Sequence, residues 1–122
     1  GGALGAAGRW AIAEQLLRNA PDGFPWAIFG VNVVGCLLIG VVSSRVERAT
    51  LAWAFVATGV LGGFTTMSSF AVELNDLAGD DSTGTAVVYA IATLTAGFVA
   101  LAIGGALRGP VDDVGFGTEG IE

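Results

Sequence analysis

The chain has 122 residues, of which 53% are hydrophobic and 13% charged, and its mean hydropathy is +0.73. A soluble domain carries roughly 25% charged residues, so this one has about half the usual share. Histidine is absent and Cys36 is the single cysteine, which excludes histidine metal sites, Ser-His-Asp catalysis, an intrachain disulfide and CxxC chemistry.

Twenty glycines against three prolines suit closely packed membrane helices, where small residues let backbones approach. The expectation is an all-α integral membrane protein. The net charge of −6 comes from 11 acidic residues against five arginines, and most of the acidity lies in loops and tail rather than in the apolar runs. That balance suits a solvated acidic surface or a high-salt cytoplasm, and offers nothing to nucleic acid.

The first span is expected over Gly2 to Leu17, with Gly2 and Ala6 at a packing spacing and Arg9 in its middle. Because Arg9 interrupts the apolar run and no small-residue cleavage site follows, a cleavable signal peptide is not expected. Arg18 to Gly23 reads as a loop, and Glu14 and Arg18, four apart, can pair on one face. The second span runs from about Phe24 to Ser43, with Pro25 in its first turn and Asn32 as its one strongly polar residue. Cys36 reads as a small buried hydrophobe. Ser44 to Thr50 is the second loop.

The third span, Leu51 to Leu74, is long enough to cross a core that needs about 20 residues. Its centre, Gly59 to Glu73 (GVLGGFTTMSSFAVE), packs Gly59, Gly62 and Gly63 beside Thr65, Thr66, Ser68 and Ser69. Gly62-Gly63 weakens a helix, and hydroxyls offer freed backbone groups other partners. Loose backbone at membrane depth is tolerated only where it is buried in protein or lines a wet cavity. A helix broken at mid-membrane is therefore expected here, and with it a functional site. Asn75 to Ser82 reads as an acidic loop. A fourth span covers about Thr83 to Leu107, capped by Arg108 and stopped by Gly109-Pro110. The chain divides into a four-helix transmembrane unit, 1–108, and an acidic tail, 109–122, expected to be disordered.

Four spans place both termini on one side with the second loop. Arg45, Arg48 and Arg108 make that side cytoplasmic by the positive-inside rule, but so few charges also allow insertion in both directions. The intramembrane polar groups are Arg9, Asn32, the Thr65–Ser69 cluster, Glu73, Tyr89, Thr93 and Thr95, mostly neutral hydrogen-bond donors. Donors satisfy anions, so a path lined by them favours a small anion over a cation. Four helices enclose little polar path alone, and a dimer is expected.

GGALGAAGR at the start, Val31-Asn32 followed by Gly35, and GGFTTMSSFAVE in the third span resemble the Fluc/CrcB family of bacterial and archaeal fluoride channels. The likeness covers roughly Gly1 to Arg108. It implies a passive cell-membrane channel rather than an enzyme, one that lets cytoplasmic fluoride out and so relieves its toxicity. It also implies an antiparallel, dual-topology dimer, either of one chain or of paired paralogues, with two pores at the interface. A structural sodium ion at the dimer centre would be held by the Gly62 and Thr65 backbone carbonyls. The pore residues carry over to Asn32, Thr66, Met67, Ser69, Phe70, Tyr89 and Thr93, and the vestibule residues to Arg9 and Glu73. Two positions depart from the pattern. Met67 stands where the family has the first of two phenylalanines, and Gly97 where its polar track has a third hydroxyl. For Met67 three readings stay open: conduction tolerates methionine, a paired paralogue supplies the better pore, or one pore of a heterodimer is impaired. Two further functions also stay open. One is a small proton-coupled multidrug-type exporter using Glu14, the other a partner subunit without transport of its own.

Overall fold

The structure, a computed structural model, describes residues 1–17, 23–80 and 82–107. Among these every regular element is helical: α1 (Gly2–Leu17), α2 (Trp26–Arg45), α3 (Leu51–Trp53), a π-helical segment (Ala54–Leu61), α4 (Gly62–Phe64), α5 (Met67–Gly79) and α6 (Thr83–Ala106). Among the described residues three stretches are long and apolar enough to cross a membrane: Trp26–Arg45, Leu51–Gly79 and Thr83–Ala106. At 16 residues α1 rises about 24 Å, short of a hydrocarbon core of about 30 Å. The Arg18 loop, its pairing with Glu14, Asp81, the Arg108 cap and the 109–122 tail lie outside the described residues.

The largest contact joins α2 and α6, which run parallel: Phe24 meets Tyr89, Cys36 meets Gly97 and Gly40 meets Gly104 in succession. Here the backbones touch. A Cβ on Gly104 would stand 2.9 Å from Val41 N and closer still to Leu37 O, so glycine is required for this approach rather than for any unusual dihedral. The α1 helix lies against the first half of the third span by the same device; a Cβ on Gly5 would come within 2.7 Å of Phe64 N.

Two boundaries differ from expectation. Helix α2 continues through Ser44 and Arg45, where the Ser43 and Ser44 hydroxyls donate back to Ile39 O and Val41 O. Helix α5 runs on to Gly79, so most of the expected acidic loop is helix. Leu74 and Leu77 explain this, since both pack against the buried cluster of Ile28, Phe70 and Tyr89, and burial outweighs the weak propensity of Asn75 and Asp76.

The third span is broken, but not at its glycines. Gly62 and Gly63 are helical, and Gly62 N–H reaches Ala57 O five residues back, closing the π-helical segment. The backbone opens at Thr65 (φ −75°, ψ 156°) and Thr66 (φ −148°, ψ 119°). Rather than loosening the chain, Gly63 lets α1 approach, with Gly2 Cα 3.0 Å from where its Cβ would be.

A neutral apolar trough ending on the broken helix

The break is held from outside its own helix. Thr66 N–H, which a continuous helix would give to Gly62 C=O, is donated to Asn32 Oδ1 at 2.9 Å. The Asn32 amide returns the contact, donating through Nδ2 to Thr66 O at 3.1 Å. Asn32 thus grips both backbone polar groups of one residue, as a neighbouring strand would. Thr66 then caps α5: its Oγ1 accepts Ser69 N–H at 3.1 Å and lies 3.1 Å from Ser69 Oγ and 3.2 Å from Ser68 Oγ. The capped first turn presents N–H groups and the positive end of the helix dipole at membrane depth. On the other side of the break Thr65 keeps to the preceding turn, its N–H and hydroxyl both donating to Leu61 O at 2.9 and 3.0 Å. Arg9 reaches over from α1 and donates to Thr65 O at 3.3 Å.

A cavity of about 280 Å³ starts at this break and follows the parallel α2 and α6. Asn32, Thr65 and Thr66 line it at one end, Cys36, Thr93 and Gly97 along it, and Ile39 and Leu101 farther on. Among the described residues that line it none is ionisable except the Cys36 thiol. Phe70 forms its floor and is 9% exposed, whereas Met67 stands on its rim at 71%. The three-residue spacing puts both on the trough side of α5, but at different depths. Thr93 is 7% exposed, and its hydroxyl oxygen has no hydrogen-bond partner among the described residues.

Behind Phe70 lies a second, separate polar contact. Tyr89, fully buried, donates its hydroxyl to Glu73 Oε2 at 2.9 Å and packs its ring 5.2 Å from Phe70. Neither Tyr89 nor Glu73 lines the trough. Of the residues expected at a pore, the structure gathers Asn32, Thr66, Met67, Phe70 and Thr93 around the trough and places Ser69 just behind Thr66. Tyr89 is removed to the core, bonded to the half-buried Glu73, and Arg9 stands at the break. The expectation missed Cys36, which is only partly buried and lines the trough. Its signal was present in the sequence, one helical turn from Asn32 on the same face. Glu14 does not line the trough.

Comparison with known proteins settles the family. The family model described as "CrcB-like protein, Camphor Resistance (CrcB)" matches residues 1–105. The chain belongs to the CrcB-like family. It is 45% identical over 105 residues to "Fluoride-specific ion channel FluC 1" of Streptomyces coelicolor, covering 83% of this chain and 68% of that protein. It is 43% identical over 98 residues to "Fluoride-specific ion channel FluC 2" of Streptomyces avermitilis, covering 77% of this chain and 61% of that one. To "Fluoride-specific ion channel FluC" of Agrobacterium fabrum it is 37% identical over 111 residues, covering 88% and 89%. The chain therefore spans under two thirds of the second Streptomyces relative and most of the Agrobacterium one.

CrcB-like membership and the apolar helices together make this an integral membrane protein, and the family is one of ion channels, not enzymes. The broken helix of this CrcB-like chain also bears on the sodium ion that the family resemblance implies. Diverting Thr66 N–H to Asn32 leaves Gly62 C=O without its helical donor. Thr65 C=O spends one of its two lone pairs on Arg9. Two neutral, hard carbonyl oxygens at one break fit the needs of such a cation.

Proposed function

We propose that the chain is a passive, fluoride-selective channel that lets fluoride leave the cytoplasm, its pores formed by troughs at the interface of an antiparallel dimer. The observation that carries this reading is the trough's lining of neutral donors on apolar walls, ending on a capped helix N-terminus. A dehydrated anion needs donors in place of water, while a full opposite charge would trap it. Asn32 spends one amide hydrogen on Thr66 and has a second to give. The Phe70 ring, on the trough floor, offers a positive edge. Fluoride enters cells as neutral HF and ionises inside. A negative-inside potential then drives the anion out at about 2.3 kcal/mol per 100 mV.

The dimer reading is supported by the open side of the trough, where Met67 and Phe98 are each 71% exposed. A second copy, or a paralogue, would close that side and complete two pores. In this reading each copy crosses the cell membrane of a bacterium or archaeon four times, in either orientation. Arg9 and Glu73 serve as vestibule groups. The Gly62 and Thr65 carbonyls hold sodium at the dimer centre, where it supplies fixed positive charge and no chemistry. The proton-coupled exporter would need a carboxylate in the path, and the trough has none among its described residues.

The test is the single chain in liposomes loaded with potassium fluoride, with efflux followed by electrode after valinomycin and chloride as control. Fast, fluoride-selective efflux is expected. If correctly folded protein gives none, alone or as Met67→Phe, the homodimeric channel is refuted, and restoration by a paralogue would identify a partner subunit.

A further inference from the structure

An aromatic ring attracts an anion at its edge and repels it at its face, because the ring quadrupole is positive around the plane and negative above it. Phe70, on the trough floor, can therefore serve an anion only while its tilt is fixed. A phenylalanine ring turns within a broad, two-fold well about its last bond, so α5 alone leaves the tilt loose. What lies behind the ring has to set it.

Behind it a series of rings leads from the trough floor toward the surface. Tyr89 packs 5.2 Å from Phe70 at 44°. Phe24 meets the same Tyr89 edge-to-face, 5.4 Å away at 89°. Trp26 and Phe29 pack on Phe24 in turn, at 4.4 and 5.8 Å. Tyr89 is fully buried, Phe24 half-buried and Trp26 46% exposed. Phe70 is the one member of the series that lines the trough.

Phe24 owes its place to the turn before α2 rather than to a helix. Gly23 takes φ +71°, a conformation that residues with a Cβ rarely adopt. Pro25 sits at φ −75°, ψ 63°, and Trp26 N–H donates to Phe24 O at 2.8 Å, an inverse γ-turn. The turn folds the chain back on itself and brings the Phe24 and Trp26 rings together, leaving Phe24 against Tyr89.

We infer that Phe24 is a positioning residue of the trough: through Tyr89 it holds the Phe70 ring with its edge presented to a small, partly dehydrated anion. It touches no ion itself. This rests on the fluoride-channel reading and adds to it a residue outside the path.

Fluoride efflux from liposomes is measured for the unaltered chain, Phe24→Leu and Phe24→Tyr, each first shown to be monodisperse. In parallel, meta-fluorophenylalanine is placed at position 70 and its fluorine resonance is recorded in detergent. Phe24→Leu is expected to slow efflux about five-fold, or about 1 kcal/mol at 1.4 kcal/mol per decade, the worth of one ring contact. It also moves the fluorine resonance, because Tyr89 shifts against Phe70. Phe24→Tyr keeps the ring, the rate and the resonance. A residue that only adds stability would lower the unfolding temperature and leave folded channels with the same rate and resonance. If Phe24→Leu does not stay monodisperse, Phe24→Met, which fills the space without a ring, is read in the same way. Equal efflux in the ringless variant, or slowed efflux with an unmoved resonance, overturns the inference and leaves the channel reading intact. No fluoride efflux from the unaltered chain overturns both.

Discussion

Asn32→Ala tests whether the break in the third span is held by a side chain of another helix. The substitution removes both contacts to Thr66, the N–H···Oδ1 bond of 2.9 Å and the Nδ2–H···O bond of 3.1 Å. Their loss is unequal. An N-cap carbonyl already accepts the first bond of its own helix, so Thr66 C=O loses a second partner, at about 1 kcal/mol. Thr66 N–H loses its partner outright in a medium with little water, at about 1 to 3 kcal/mol. The sum, about 2 to 4 kcal/mol, corresponds to exchange of the Thr66 amide hydrogen roughly 30- to 700-fold faster at 1.4 kcal/mol per decade. Hydrogen exchange in detergent, resolved by peptide across 61–70, measures it, with fluoride efflux followed in parallel. If efflux falls while exchange at Thr66 stays within a factor of about three, Asn32 serves the ion alone and the clip is refuted.

Other predictions follow from contacts already described. Gly104→Val pushes α2 from α6 at Leu37 O and Val41 N and should destabilise by about 3 kcal/mol or more; Gly84→Ala, with open space around it, should be neutral or slightly stabilising, and thermal unfolding in detergent compares them. Tyr89→Phe keeps the ring against Phe70 but removes the hydroxyl from Glu73. It should lower stability by about 1 to 2 kcal/mol while leaving fluoride efflux within about two-fold, because neither residue lines the trough. Arg9→Gln takes a positive charge from beside Thr65 O, so efflux should slow and its dependence on ionic strength should weaken, read by repeating the electrode assay at several salt concentrations. Replacing external and internal sodium with N-methylglucamine should lower the unfolding temperature of the intact chain if Gly62 and Thr65 hold the ion.

Three of the four expected spans were legible because apolar length is a property of sequence alone, and the Thr/Ser cluster marked the right region for a break. The position of the break was harder to read. Gly62-Gly63 looks weak by propensity, but a glycine stays helical when the neighbouring backbone needs its missing Cβ, as Gly2 does at Gly63. Thr65 and Thr66 open because Asn32 and the Thr66 cap offer better partners than the helix does, and Asn32 lies 34 residues away. Leu77 hid the length of α5 for a similar reason, since its burial depends on packing from other helices. The Tyr89–Glu73 bond was out of reach because both residues looked polar enough for a path, and only the fold pairs them with each other. Cys36 was read by its residue type, while its place one turn from Asn32 was the better guide.

The Asn32 clip also bears on how the chain matures in the bilayer. The opened backbone at Thr66 is tolerated in hydrocarbon only while α2 lies alongside, because Asn32 supplies partners for both its N–H and its C=O. The free end of α5 at Thr66 is thus a product of docking between helices, not of the third span alone.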